Sequence, residues 1–435
     1  MDAVKAGKVS EERIDEAVKR ILAVKFKLGL FEDPFTSEKE AEKLVRNKGH
    51  IELAKEVARQ SVTMLKNEDN LLPLSKDLKR IAVIGSNADM QYNQLGDYTG
   101  PQSEDNIVTA LEGIQNKLPN ATIDYVKGTA VRDTTQTDIP AAVEAAKNAE
   151  VAIVVLGGSS ARDFKTEYLE TGAATVSSKE DEILGDMESG EGFDRSTLNL
   201  MGKQMELLQA IVATGTPTVL VLIKGRPLLL NWPSENVPAI LDAWYPGQEG
   251  GNAIADVLFG DFNPAGRLPV SVPKSLGQIP VYYNYWFPIR RDYVEHDSKP
   301  LYPFGYGLSY SEFEYSDLKL STSGKGQNTK IDISLKVSNI SKIDGDEVVQ
   351  LYIRDMLSSV LSPVKQLRAF ERVSIKAGET KSIQFELLPK ELSLFDAEMI
   401  QKVEAGEFKL MIGASSEDIK LETTFEIPET ITISN

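Results

Sequence analysis

The sequence predicts an α/β domain with a mostly parallel sheet, followed by an all-β sandwich. Apolar runs such as Arg80-Ile81-Ala82-Val83-Ile84-Gly85, Val151 to Leu156 and Thr218 to Ile223 are too uniformly apolar for half-exposed strands, and parallel strands covered on both faces read this way. Segments of helical spacing stand between them, the alternation that builds an α/β sheet. Past Phe313 the period drops to two, as in Ile331-Asp332-Ile333-Ser334-Leu335-Lys336-Val337, which marks strands with one buried face.

The elements run in order along the chain. Ser10 can cap a helix in which Ile14, Ala17, Val18, Ile21, Leu22, Val24 and Leu28 recur at helical spacing, ending near Gly29. That opening piece is short and amphipathic, and it is expected to need sequence before Met1 to fold against. A second helix is expected from about His50 to Met64, with Ile51, Ala54, Val57, Ala58 and Val62 facing inward. After the Arg80 strand come a helix from Val108 to Leu118, a strand Ile123-Asp124-Tyr125-Val126 and a helix from Pro140 to Ala149. The Val151 strand is followed by a helix from Gln204 to Ala213, strands Thr218 to Ile223 and Ala239 to Trp244, and a helix from Gly251 to Phe259. A long polar insertion lies between Gly157 and Leu200, and loops of that length are usually functional or mobile. A second loop-rich stretch runs from Gly260 to Tyr310. The later strands include Glu347 to Ile353, Ser382 to Leu387 and Gly406 to Gly413, with turn signals such as Ala377-Gly378-Glu379.

Composition excludes several function classes. A chain of 435 residues is expected to hold two or three domains. A formal charge of −17 disfavours nucleic acid, whose phosphates need clustered Lys and Arg, and an anionic membrane surface. The absence of cysteine rules out disulfides and thiolate chemistry, and two histidines cannot make a three-histidine metal site. No metal or cofactor is expected. The N-terminus has no apolar h-region and does not read as a signal peptide, and no run of about twenty apolar residues predicts a membrane span.

Two stretches invite a chemical reading. Ile84-Gly85-Ser86-Asn87-Ala88-Asp89 begins like a dinucleotide site, but Asn87 and Met90 stand where further glycines are needed. A plain strand end is the preferred reading. Glu188-Ser189-Gly190-Glu191-Gly192-Phe193-Asp194-Arg195 is more informative. A carboxylate between two glycines can reach into a cleft, and an Asp-Arg pair can brace the loop by a charge-assisted hydrogen bond. The loop also lies between a strand end and the next helix, where α/β sheets place ligands. With Glu180, Asp181, Glu182 and Asp186 nearby, a solvated acidic loop fits the spacing equally well.

The run Glu191-Gly192-Phe193-Asp194-Arg195, with Leu198 and Leu200, resembles the acid/base loop of family 3 glycoside hydrolases. The resemblance continues in Leu65-Lys66-Asn67, Leu72-Pro73-Leu74, Tyr245-Pro246-Gly247-Gln248-Glu249-Gly250-Gly251, Asn263-Pro264-Ala265-Gly266-Arg267-Leu268-Pro269, Pro300 to Tyr310 and Gly345 to Tyr352. It covers essentially the whole chain. Met201 departs from it, standing where proline is usual. The resemblance implies residual barrel helices over 1–35, an α/β sandwich over 36–311 and a fibronectin type III-like (immunoglobulin-like) sandwich over 312–435. It further implies retaining hydrolysis of terminal β-glucosyl or related residues in an oligosaccharide or β-glucoside, with Glu191 as acid/base. Asp194 and Arg195 are expected to brace the loop, with Glu188 and Asp194 as fallback carboxylates. Tyr98 resembles an aromatic flanking the sugar cleft, although a half-exposed loop tyrosine would look the same, and Arg162 and Asp163 are weaker substrate-binding candidates. Trp244, Tyr245, Phe304 and Tyr306 read as packing.

The nucleophile belongs by resemblance to a Ser-Asp-Trp-like motif on a barrel, and no such motif occurs here. The isolated chain is therefore expected to hydrolyse aryl β-glucosides negligibly, with a separate barrel domain as the implied partner. The alternative is a non-catalytic carbohydrate-binding or scaffold module, separated from the first reading by whether an in-frame barrel lies upstream. A nucleotide-binding α/β protein is the third reading, tested by retention on a dinucleotide column. Localisation stays open, with a periplasmic or extracellular site favoured for a full-length relative.

Overall fold

A computed structural model describes residues 1–160, 167, 169, 186–286 and 292–433. The chain divides into two compact units, Met1–Leu53 and Ala54–Asn435.

The first unit holds α1 (Asp2–Lys5), α2 (Glu11–Lys27) and α3 (Glu38–Leu44). Ser10 caps α2 as expected, its hydroxyl accepting from the Arg13 amide at 3.2 Å. Three turns of the apolar stripe on α2 stay open to solvent, with Ile14, Val18 and Ile21 46–61% exposed. Helix α4 (Lys48–Ser61) begins in this unit and ends in the next.

The second unit departs from expectation at its start. The chain leaves the helix at Ser61 and enters strand β1 (Thr63–Asn67), where a helix was expected as far as Met64. Val57 is 60% exposed rather than inward, because only the Ala58 ridge of that last turn is buried. Strands β2 (Arg80–Ile84), β3 (Thr122–Val126), β4 (Val151–Gly157), β5 (Thr218–Ile223) and β6 (Ala239–Trp244) complete a six-stranded sheet of order β1-β6-β5-β4-β2-β3. All neighbours are parallel except β1, which lies antiparallel on β6. The order reverses between β2 and β4, so a crevice opens beyond their carboxyl ends.

Alternate strand residues feed two cores. Ile81 and Val83 face α5 (Ala110–Lys117) and α9 (Gly250–Leu258). Ala82 and Ile84 face α6 (Ile139–Lys147) and α7 (Gln204–Val212). A short α8 (Asn231–Asn236) precedes β6. Helix α5 starts on a capping box in which Thr109 and Glu112 each bond the other's backbone.

The remaining chain is a sandwich. Strands β7 (Phe313–Ser323), β8 (Lys330–Asn339) and β11 (Thr380–Leu387) form one sheet. Strands β9 (Gly345–Asp355), β10 (Gln366–Ile375), β14 (Gly406–Gly413) and β15 (Ile419–Ile427) form the other. The turn signalled at Ala377-Gly378-Glu379 carries the chain from one sheet to the other, between β10 and β11. Ile331, Ile333, Leu335 and Val337 of β8 point inward at every second residue and meet Val349, Leu351, Phe408 and Leu410. Helix α10 (Pro389–Leu392) and a small sheet of β12 (Leu394–Phe395), β13 (Gln401–Val403) and β16 (Ile431–Thr432) cover one end.

The sandwich is fixed to the α/β part by buried polar contacts. Arg267 pairs with Glu347 at 3.1 Å, and the Gln350 side-chain amide donates to the Gly305 carbonyl at 3.0 Å.

Candidate active site

The loops beyond β2, β4, β5 and β6 meet around a cavity of about 710 Å³, lined among others by Tyr98, Ser160, Glu191, Asp194, Arg226 and Tyr245. Buried amide side chains tie the carboxyl ends of β2, β4 and β5 together. Asn87 donates to the carbonyls of Gly158 and Ile223 at 3.0 and 3.1 Å and accepts from Asn93 at 2.9 Å. Ser159 donates to Asn93 at 2.8 Å. Gln204 reaches in from α7, donating to the Gly157 carbonyl at 2.9 Å and accepting from its amide at 2.8 Å. A buried network with its partners in place is stiff, which suits a site that must hold geometry. Asn87, read as a misfit in a dinucleotide fingerprint, thus fills the crevice at the switch point with protein.

One loop lines the cavity from Ser189 to Asp194. At its foot, Asp186 accepts from the backbone amides of Val131, Arg132 and Asp133, so it is clasped rather than solvated. Met187, Glu188 and Ser189 are buried. Glu188 pairs with Arg195 of the same loop, the two side chains 2% and 1% exposed. Arg195 also donates to the carbonyls of Thr197, at 2.6 Å, and Asn199. Burial raises the Glu188 carboxyl above the ordinary range, with Arg195 drawing it part of the way back.

Above that stem the loop doubles back. Gly190 and Phe193 exchange backbone hydrogen bonds at 3.2 and 3.3 Å, leaving Glu191 and Gly192 as the turn between them. Gly192 has φ +88°, a conformation that favours glycine. The turn pushes Glu191 outward, and its side chain stands exposed at the rim of the cavity.

The expected brace is corrected in its partners. Arg195 does brace the loop, but through Glu188. Asp194 is tied instead to Arg226 beyond β5, at 2.8 Å, and a hydrogen bond from the Arg195 amide together with Arg226 holds its carboxyl below the usual range. Tyr98 lies on the cavity wall with φ +60° and 80% of its surface open. Arg162 and Asp163 lie outside the described residues, as do Glu180, Asp181 and Glu182.

Tyr245 was expected to be packing and is also a wall of the cavity. Its ring sits between Gly96 and Gly225, where a Cβ would come within 2.7 and 2.4 Å of ring carbons. Ser160 donates to its hydroxyl at 2.9 Å. Its place one residue past a strand's carboxyl end is the signal that could have found it.

The cavity is lined by an exposed carboxylate, Glu191, and by two tyrosines, Tyr98 and Tyr245. That can hold a neutral polyhydroxy ligand and pass a proton to or from it.

Residues 62–310 match the glycosyl hydrolase family 3 C-terminal domain, and residues 347–416 match a fibronectin type III-like domain. The chain is 39% identical to a β-xylosidase of Formosa agariphila over 423 residues, covering 94% of this chain and 54% of that protein. It is 36% identical to a periplasmic β-glucosidase of Salmonella typhimurium, covering 98% and 57%. A β-glucosidase of Listeria innocua solved with isofagomine superposes with a TM-score of 0.83 at 31% identity, over 98% of this chain and 57% of that one. The chain thus spans little more than half the length of the relatives it matches.

Proposed function

We propose, from the premise that this chain belongs to glycosyl hydrolase family 3, that it supplies the acid/base half of a retaining β-glycosidase and that Glu191 is that residue. The supporting observation is the division of labour within one loop. Asp186 is held by backbone amides, Glu188 by Arg195 and Asp194 by Arg226, whereas Glu191 stands exposed at the rim of the cavity. A proton donor to a leaving group needs that freedom, and the three restrained carboxylates lack it.

The reading assigns the nucleophile to a separate barrel domain. Retention requires the two carboxyl groups roughly 5–5.5 Å apart across the scissile bond. Glu191 would protonate the glycosidic oxygen, then take a proton from water as the glycosyl-enzyme is hydrolysed. Tyr98 offers an open ring face to the C–H side of a pyranose, and Arg162 and Asp163 belong to the proposed substrate contacts. The substrate class is a terminal β-glucosyl or related residue of an oligosaccharide or β-glucoside. We assign 1–35 to the end of the barrel, 36–311 to the α/β sandwich and 312–435 to the fibronectin type III-like domain.

The test is leaving-group dependence in the chain joined to its barrel. Glu191→Ala is expected to slow hydrolysis of a poor leaving group such as a sugar by about 10²–10⁴-fold, while sparing the dinitrophenyl glucoside, whose phenolate departs without a proton. Azide should rescue the variant and yield the β-glycosyl azide, and Glu188→Ala should give no such product. Equal losses on both substrates, with no azide adduct, would move the role to another carboxylate.

A further inference from the structure

The apolar alternation of β5 and β6 breaks at their carboxyl ends. Leu220 and Leu222 on β5 and Ile240 on β6 belong to the core on the α6 and α7 face. The next places in the two alternations hold Lys224 and Asp242, whose side chains are 1% and 0% exposed. The Lys224 ammonium donates to Asp242 at 2.6 Å. Neither residue lines the cavity at Glu191. Stability is a weak reason for such a pair, because well-packed hydrocarbon of similar volume often serves a core as well or better.

What the pair holds is Trp244. Its φ is +56°, a left-handed backbone that a bulky residue keeps only where its surroundings enforce it. Three contacts converge on it. The second Asp242 oxygen accepts from the Trp244 amide at 3.3 Å. The Lys224 amide donates to the Trp244 carbonyl at 3.0 Å. The Lys224 ammonium stands 4.1 Å from the centroid of the Trp244 ring, where the face of an indole attracts a cation. The pairing of β5 with β6 also shifts register here, between Leu222 and Ile223. Just beyond lie residues of the cavity wall. Gly225 and Arg226 follow Lys224, Tyr245 follows Trp244, and all three line the cavity with Glu191.

We propose that Lys224 and Asp242 are positioning residues, their buried pair holding Trp244 left-handed and so turning Tyr245 and Arg226 to the cavity. The proposal rests on the reading of that cavity as the place where Glu191 acts. An apolar pair could fill the same volume, but it offers the Trp244 amide no acceptor and the Trp244 ring no cation. The backbone at 244 would then relax, and Tyr245, one residue on, would swing with it.

The experiment compares two double variants of the chain joined to its barrel. Lys224→Met with Asp242→Leu removes both charges and the acceptor. It is expected to melt at or above the temperature of the unaltered protein and to show residue 244 at negative φ in a crystal structure. Its kcat/KM on cellobiose should fall about 10²-fold, the scale of an ångström's misplacement. Lys224→Met with Asp242→Asn also removes the charges but keeps an oxygen for the Trp244 amide, and it should recover most of that activity. A pair that serves the fold alone would give losses that follow the melting temperature in both variants, and that result overturns the proposal. Full activity in the first variant overturns it too, as does a positive φ at residue 244 there. The acid role fails on a different readout, the leaving-group kinetics of Glu191→Ala with the pair intact, so the two failures are told apart.

Discussion

The stem and the tip of the loop over the cavity are a few residues apart and obey opposite rules. In the stem, Glu188 and Arg195 are withdrawn from water and hold each other. At the tip, Glu191 sits on a two-residue turn, open to solvent. Both carboxylates flank the same Ser189-Gly190 step and both looked alike in composition. The difference lies in the residues that come after each of them. Glu188 is seven positions from an arginine that the fold turns inward, whereas Glu191 precedes a glycine at φ +88° that turns it outward. The ion pair holds the stem, and the acid at the tip stands exposed.

The largest break in that comparison is Glu188→Ala. It strands the Arg195 guanidinium in a site where 1% of the side chain is exposed, and leaving a buried charge without its partner costs about 3–5 kcal/mol. Chemical denaturation should show a loss of that order. Replacing both partners, as in Glu188→Met with Arg195→Met, should recover part of the loss. Recovery would be incomplete because the bonds from Arg195 to the Thr197 and Asn199 carbonyls go too.

The same pair gives a pH dependence with a definite sign. The Glu188 carboxyl is raised above its ordinary value near 4.5, burial outweighing the pull of Arg195. The folded chain then holds this proton more tightly than the unfolded chain does. The stability it contributes is fully present below pH about 4.5 and is lost as pH rises through the folded value. Compared with Glu188→Gln, which cannot titrate, the unaltered protein should lose stability as pH rises above about 4.5, the value of the unfolded carboxyl. A constant difference between the two above that pH would contradict the raised value.

At the tip the expected cost is smaller and purely conformational. A Cβ at Gly192 would meet open space, so Gly192→Ala should destabilise by only about 1 kcal/mol, the penalty of a left-handed backbone for alanine. Its effect on a barrel-joined enzyme should exceed that figure, because the turn aims Glu191.

Much of the scaffold could be read in the sequence because its signals are local. Apolar runs marked β2, β4, β5 and β6, and the period-two strand at Ile331 marked the sandwich core. Thr63–Asn67 was missed because Ala58 and Val62 fit helical spacing as well as they fit a helix followed by a strand. What ends the helix is the antiparallel pairing of β1 with β6, which lies far off in sequence. The site was legible to the level of the loop and no finer. Which carboxylate is buried depends on the Thr197 and Asn199 carbonyls that hold Arg195, and Tyr245 becomes a cavity wall only when Gly96 and Gly225 close on its ring. Neither is a property of spacing.

The smallest expected effect sharpens the comparison most. Glu191→Gln removes a charge and keeps the shape, at a side chain on the solvent side of the turn. The turn is held by backbone bonds between Gly190 and Phe193, none of which uses the Glu191 side chain. A surface substitution away from such supports usually stays within about 0.5 kcal/mol. Thermal and chemical unfolding of Glu191→Gln should therefore overlay those of the unaltered chain, while Glu188→Ala is clearly less stable. Stability would then be carried by the stem and withheld from the tip, the outcome the proposal for Glu191 requires. A loss above about 1 kcal/mol on Glu191→Gln, well outside the surface range, would mean that Glu191 has a partner in the folded chain and is not the free acid of the loop.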